Sequence, residues 1–400
     1  MEVRPERALA DLRELDRRTG GPDGARRVCW TPVWQDARAF LRQRLGEIEG
    51  VSVDVDEAGN LWAALSGESE RTIAVGSHID SVPNGGWLDG ALGVMAGVEL
   101  LRAAAEAGGP GRTLTLIDFA DEEGARFGRS LFGSSAVAGT LDPDAVRDLT
   151  DADGRPIAEV LAEHGVELDR APEAAQRRER VGTYLELHIE QGPVLESEGV
   201  AVAAVTGTFG VERHRFTFAG QASHAGTTPM EMRRDAGLAA ARTALAVEEV
   251  AREHGGVGTT GVLRLEPGIP TAVPGRAELV VDLRHGEAGA LARMLGAVRE
   301  AARESAAARR VEASEAEIWR IEPIPFDARL VAAALEAAGS GRQLPSGALH
   351  DAAEMARHVP TAMMFTSSTA GLSHAAEEDT PEEHLTAAIA AFGRLVAGLV

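Results

Sequence analysis

Apolar and polar positions follow two regimes along the chain. Residues 72–78 (TIAVGSH) and 112–121 (RTLTLIDFAD) are short β-rich runs that each end in polar residues, and the stretch between them, GALGVMAGVELLRAAAEAG, is apolar at helical spacing. Together they predict a βαβ unit. The carboxyl ends of such strands form the rim where open α/β sheets place their ligand crevices. Residues 183–193 (TYLELHIEQGP) and 361–374 (TAMMFTSSTAGLSH) end in the same style.

Between about 207 and 325 the pattern changes. It predicts a strand (VERHRFTFAG), a helix (RRDAGLAAARTALAVEEVAREHG), two strands (TTGVLRLEP, RAELVVDLRH), a helix (EAGALARMLGAVREAARESAAARR) and a last strand (VEASEAEIWRIE). This βαββαβ order is that of a ferredoxin-like domain. The expected fold is therefore α/β, with a mixed-sheet catalytic domain made of residues 1–206 and 326–400 and an inserted domain at 207–325. No internal repeat is present.

Composition narrows the function. The 400 residues are 44% hydrophobic, enough for one large core or two modest ones. A formal charge of -22 without a basic cluster argues against a nucleic-acid partner. The sequence has no lysine, which removes Schiff-base chemistry, pyridoxal phosphate attachment and the Walker-type phosphate loop. Cys29 is the single cysteine, so an internal disulfide and a Cys-rich zinc site are excluded and a reducing compartment fits. With no apolar signal core at the N-terminus and no run of transmembrane length, the expectation is a cytoplasmic protein without a membrane partner.

GSHIDSVPNGGWLDG, residues 76–90, sets His78, Asp80 and Asp89 in a glycine-rich turn between strand and helix. The aspartates alone could be turn formers, with Asp89 capping the helix. DFADEEGARFG adds Glu122 and Glu123 at a second strand end, where adjacent carboxylates repel unless a cation or proton separates them; a solvated acidic loop is the alternative. His188 and His374 sit at equivalent strand-end positions. A mixed set of imidazoles and carboxylates without thiolates suits zinc or manganese and favours a catalytic over a closed structural site. An aspartate between two ions is how two-metal hydrolases activate a shared water.

Five ordered motifs, GSHIDSVPNGGWLDGALGV, DEEGARFGRSLFGSSAVAG, ELHIEQGPVLE, GQASHAGTTPMEMRRDA and SGALHDA, resemble one branch of the M20 metallopeptidase family: the N-carbamoyl-L-amino acid amidohydrolases, allantoate amidohydrolases and β-ureidopropionases. They run from residue 76 to about 380. The resemblance implies two divalent ions per subunit, Zn or Mn, with Co or Ni as further options. His78 and His188 would bind one, Glu123 and His374 the other, and Asp89 would bridge them. Asp80 would orient His78, and Glu122 would act as general base.

In the inserted domain the resemblance makes His224 a residue that crosses a homodimer interface to polarise the scissile carbonyl of the partner's substrate, and makes the domain a lid and dimerisation module. Arg284 would clamp the substrate carboxylate in bidentate fashion; otherwise a strand-end arginine makes a surface salt bridge and a lone loop histidine is structural. Gln191 and His350 would also reach the substrate. Two positions depart from the branch. Thr271, in TAVPG, replaces an asparagine that would help Arg284, and Leu349, in SGALHDA, replaces a glycine that lies against the ligand. The expected reaction is hydrolysis of the ureido C–N bond of an N-carbamoyl-L-amino acid to amino acid, ammonia and carbon dioxide. Allantoate, β-ureidopropionate or another small amide with altered carboxylate recognition are the alternatives.

Two rival enzyme classes lack their signatures, since G-x-S-x-G, H-E-x-x-H and an early G-x-G-x-x-G turn are absent. The remaining rival is a relative that holds metal without catalysis. Glu122 speaks against it, because metal storage needs no base.

Overall fold

The structure is a computed structural model that describes residues 1–400, apart from the side chain of Glu70. The chain divides into two compact units, Met1–Gly207 with Phe326–Val400, and Thr208–Pro325.

The first unit is built on a mixed sheet. Seven of its strands lie in the order Val202–Thr208, Thr361–Thr366, Val181–Ile189, Ser69–His78, Arg112–Phe119, Leu61–Leu65, Val51–Val55, and the short strand Gln343–Ser346 also pairs with the first of these. The four strands from Thr361–Thr366 to Arg112–Phe119 are mutually parallel, and the outer pairs are antiparallel. The central strands are apolar on both faces, as burial under helices requires. Their carboxyl ends therefore share one edge. The 183–193 run predicted from sequence is a strand only to Ile189, and the 361–374 run only to Thr366; the polar residues beyond them are loop.

The helix Ala91–Glu106 crosses from the first to the second of the strands in the βαβ unit and is buried almost all round, which its apolar run without a charged stripe dictates. Its one buried carboxylate, Glu99, accepts from Arg7 at 2.7 and 2.8 Å and from the Arg4 amide at 2.8 Å, so the N-terminal helix Pro5–Thr19 is tied to it. A second buried pair joins Arg38 to Asp118 at 2.8 Å, and the other oxygen of Asp118 accepts from the Ile79 amide at 2.9 Å. That pair pins the strand end from which His78 projects.

The second unit is a four-stranded antiparallel sheet in the order Val257–Glu266, Arg276–His285, Gly210–Ala219, Glu312–Ile321, covered on one face by the helices Ala236–His254 and Ala288–Arg309. Phe216, Phe218, Leu279, Val281 and Leu283 fill its core from alternate strand positions. Asp235 caps the first helix by accepting from the Leu238 amide at 3.0 Å, and Gly255 ends it at a φ of 70°. Some short elements have no counterpart in the hydrophobic pattern. The two-residue strand Ser223–His224 pairs with Ala272–Val273, too short for any periodicity to mark.

Candidate metal centre

The shared edge of the four parallel strands gathers the first unit's chemistry. His78 is the last residue of its strand, His188 the penultimate of its neighbour, Glu122 and Glu123 follow the third, and His374 follows the fourth. Gly90, between Asp89 and the following helix, has a φ of 63°, and a Cβ there would come within 2.4 Å of the His78 ring, so only glycine lets this turn close on the histidine.

Asp89 is at the middle of the cluster. Its Oδ1 lies 3.2 Å from His188 Nε2 and 3.7 Å from His78 Nε2, while its Oδ2 lies 3.3 Å from His374 Nε2. Glu123 Oε2 is 3.4 Å from the same His374 nitrogen. The carboxylate thus faces two pairs of candidate ligands, one per oxygen. It does not cap the helix, whose N-cap is Gly90 without a side-chain bond. The far nitrogens of two rings are already engaged, with His78 Nδ1 3.2 Å from the Asp80 carbonyl and His188 Nδ1 2.9 Å from the Ile189 carbonyl. This leaves each Nε2 turned toward Asp89.

The donor set fits divalent cations. Separations of 3.2–3.7 Å are mostly too long for hydrogen bonds, yet they bracket the about 3.4 Å between ligand atoms bonded at ~2.1 Å to one tetrahedral ion. Glu123 Oε1 is buried with no hydrogen-bond partner. Burial, then the Asp89 charge, pushes the Glu123 carboxyl up to about 7, and burial raises Glu122 well above the carboxylate range. Carboxyls under that strain are stabilised by a cation among them.

Asp80 is fully buried, so it is no surface turn former. Its carboxylate is 3.5 Å from His78 Nδ1 and also accepts from the amides of Glu122 and Glu123, each at 3.3 Å. It therefore holds the Glu122–Glu123 turn as well as facing the histidine. Glu122 Oε2 is 3.7 Å from His78 Nε2. Gln191 donates from Nε2 to Asp89 Oδ2 at 2.8 Å. His350 is buried with its ring 4.5 Å from that of His188; burial and then the neighbouring imidazole hold it well below the usual histidine range, and Leu349 beside it is half-buried.

The remaining expected site residues lie in the second unit. His224 is exposed, its Nδ1 accepting from the Gly226 amide at 3.1 Å, and the Thr271 carbonyl accepts from the Ala225 amide at 2.9 Å, so these two are neighbours. Arg284 is elsewhere. It pairs with Val211, whereas the strand end next to Thr271 and His224 is Arg276, paired with Ala219. Eight positions separate Arg276 from Arg284, about 26 Å at ~3.3 Å per residue. Within one copy of the chain, Thr271 and Arg284 therefore lie at opposite ends of the sheet. Arg284 Nε donates to Asp282 Oδ1 at 2.8 Å.

Sequence reasoning missed several buried groups at this edge. Glu186 accepts from Ser77 Oγ at 2.8 Å and from the Ala352 amide at 2.9 Å, and Glu378 accepts from the amides of Leu88 and Asp89. Glu186 lies inside the ELHIEQGP motif two residues before His188, a same-face spacing that could have drawn notice. Glu378 had no such signal.

A sheet edge that collects imidazoles and carboxylates in two adjoining sets defines a metal-dependent hydrolase class. The comparisons agree. Residues 74–398 match the model of peptidase family M20/M25/M40, and the chain belongs to that family. It is 38% identical to the N-carbamoyl-L-amino acid amidohydrolase of Geobacillus stearothermophilus, over 94% of this chain and 93% of that one. It is 34% identical to the allantoate amidohydrolase of Escherichia coli K12, over 89% and 88%. Among solved structures, a hydantoinase/carbamoylase family amidase from Burkholderia ambifaria superimposes with a TM-score of 0.90 at 33% identity, covering 99% of this chain and 98% of that one. No helix among the described residues is long and apolar enough to cross a membrane.

Proposed function

We propose that this chain is a cytoplasmic homodimer that hydrolyses the terminal ureido C–N bond of an N-carbamoyl-L-amino acid, giving amino acid, ammonia and carbon dioxide. The observation that carries the reading is the Asp89 carboxylate, each of whose oxygens faces its own pair of ligands. His78 and His188 would hold one divalent ion and Glu123 and His374 the other, zinc or manganese by the hardness of the set. Such ions lower the pKa of a shared water and polarise the carbonyl. Glu122, buried at the same edge, takes the proton of the attacking water and returns it to the leaving nitrogen. Asp80 keeps Glu122 in place through its amide. Gln191 and His350 would line the substrate, with Arg284 on its carboxylate. The relatives named for N-carbamoyl amino acids support this substrate class.

Dimerisation through the inserted unit accords with its surface. The sheet's outer strand Val257–Glu266 leaves Leu263 and Leu265 exposed, and the adjoining helix exposes Leu245. An unpaired strand edge with apolar residues is a template for a second copy.

The direct test is metal analysis of Asp89→Ala. Loss of one donor to both ions is expected to leave less than half of the parent's metal after dialysis and activity reduced by about 10²-fold or more. Retention of full stoichiometry would remove Asp89 from the bridge.

A second reading concerns the substrate, and two residues favour it. Thr271 has no amide to offer, and the side chain of Leu349 stands half-buried next to His350. Together they shift the pocket toward a more apolar body or a different carboxylate position, and relatives named allantoate amidohydrolases are also similar to this chain. Thr271→Asn with Leu349→Gly is then expected to raise kcat/KM for N-carbamoyl-L-methionine by about 10-fold, the worth of one charged hydrogen bond. If the parent already prefers that substrate over allantoate and N-carbamoyl-β-alanine and the double variant gains nothing, the plain carbamoylase reading stands.

A further inference from the structure

Glu378 is not among the ligands assigned above, yet it joins the loop that carries Asp89 to the loop that carries His374. It is 2% exposed. Its Oε1 accepts from the backbone amides of Leu88 at 3.2 Å and Asp89 at 3.0 Å, and its Oε2 accepts from Ser373 Oγ at 2.8 Å. The Ser373 oxygen in turn lies 3.1 Å from Gln191 Nε2 and 3.2 Å from Asp89 Oδ2, and Gln191 Nε2 donates to that same Oδ2 at 2.8 Å. These four side chains close a ring around one oxygen of Asp89. The fit is tight, since a Cβ on Gly86 would fall 2.0 Å from Glu378 Oε1 and 2.4 Å from its Cβ.

We propose that Glu378 is a positioning residue that fixes the backbone of Asp89 directly and its Oδ2 oxygen through Ser373 and Gln191, and so sets the geometry of the site shared by Asp89, Glu123 and His374. Ser373 adjoins His374 in sequence, so the same carboxylate also orders the loop that delivers the histidine. Removing it leaves two buried amides without their acceptor and the Ser373 hydroxyl with only Asp89 Oδ2, at 3.2 Å, to donate to. Partners behind metal ligands commonly affect metal affinity by about 10–100-fold. Oδ1, which faces His78 and His188, lies outside the ring and is affected less.

This inference rests on the reading of Asp89 as the carboxylate between two ions, and the two are tested separately. Titration of the metal-free parent with Zn²⁺ should resolve two binding steps, of which His374→Ala lacks one; a parent that binds a single ion sinks the two-ion reading itself. With two steps established, Glu378→Ala is expected to weaken the His374-dependent step about tenfold or more and the other step less than threefold. Glu378→Gln is expected to stay within about threefold of the parent in both, because its carbonyl can accept from the two amides while its NH₂ donates to Ser373. Ser373→Ala keeps the backbone acceptors and should weaken the same step several-fold; it decides the matter if Glu378→Ala does not fold. Unchanged affinity of the His374-dependent step in the alanine variants, or equal weakening of both steps, overturns the proposal. So does a glutamine variant as weak as the alanine one, since charge and not hydrogen bonding would then be at work.

Discussion

Glu122→Gln is expected to keep the parent's metal content and lose turnover by about 10²-fold or more, the usual worth of a positioned general base. The separation of the two effects comes from placement. Glu122 Oε2 is 3.7 Å from His78 Nε2, but Glu122 belongs to neither ligand set, whereas Glu123, its neighbour, reaches His374 at 3.4 Å. The side-chain amide is nearly isosteric and leaves the backbone N–H that donates to Asp80 untouched, so the turn that presents both glutamates survives. What is lost is the basic oxygen. Turnover at the parent's level with unchanged metal would deny Glu122 the role of base. Loss of metal would make it a ligand instead. Substrate affinity should change little, because the amide still fills the same volume, and a KM shift larger than the kcat loss would point to substrate binding as its task.

The strands and helices were legible where burial imposes a period. The inserted unit's six elements could be read in order because its sheet has one covered face, so that Phe216 and Phe218, or Leu279, Val281 and Leu283, alternate with polar neighbours. That His78, His188, Glu122, Glu123 and His374 come together was legible because they close four strands that share an edge, and strand ends are marked by the switch from apolar to polar. Glu378 escaped for the opposite reason. It follows His374 in a loop with no period, and its importance comes from amides 289 and 290 positions away in sequence. Arg38 and Asp118 were hidden likewise, since an arginine in an amphipathic helix gives no sign that its guanidinium will be buried against a strand. Register was the other blind spot. Only the pairing of Arg284 with Val211 and of Arg276 with Ala219 reveals that Thr271 and Arg284 sit at opposite ends of one strand system.

That separation makes the subunit-mixing experiment decisive. His224 and Thr271 lie at one end of the inserted sheet and Arg284 about 26 Å along it at ~3.3 Å per residue, too far for one small ureido acid to meet both in a single copy. If all three serve one substrate, two copies of the chain must contribute, as the dimer reading requires. His224 is exposed and its Nδ1 accepts the Gly226 N–H. His224→Ala and Glu122→Gln should each be nearly inactive as homodimers. Mixed and allowed to exchange at equal concentrations, half of the dimers would be heterodimers, and in each of these one site would join the intact Glu122 of one subunit to the intact His224 of the other. Recovery should approach about one quarter of parent activity, the statistical limit for a two-fold dimer with one restored site in half of its members. Exchange is checked independently by the mass of the mixed species. If heterodimers form and activity stays at the sum of the two inactive parents, His224 serves its own subunit or no catalytic step.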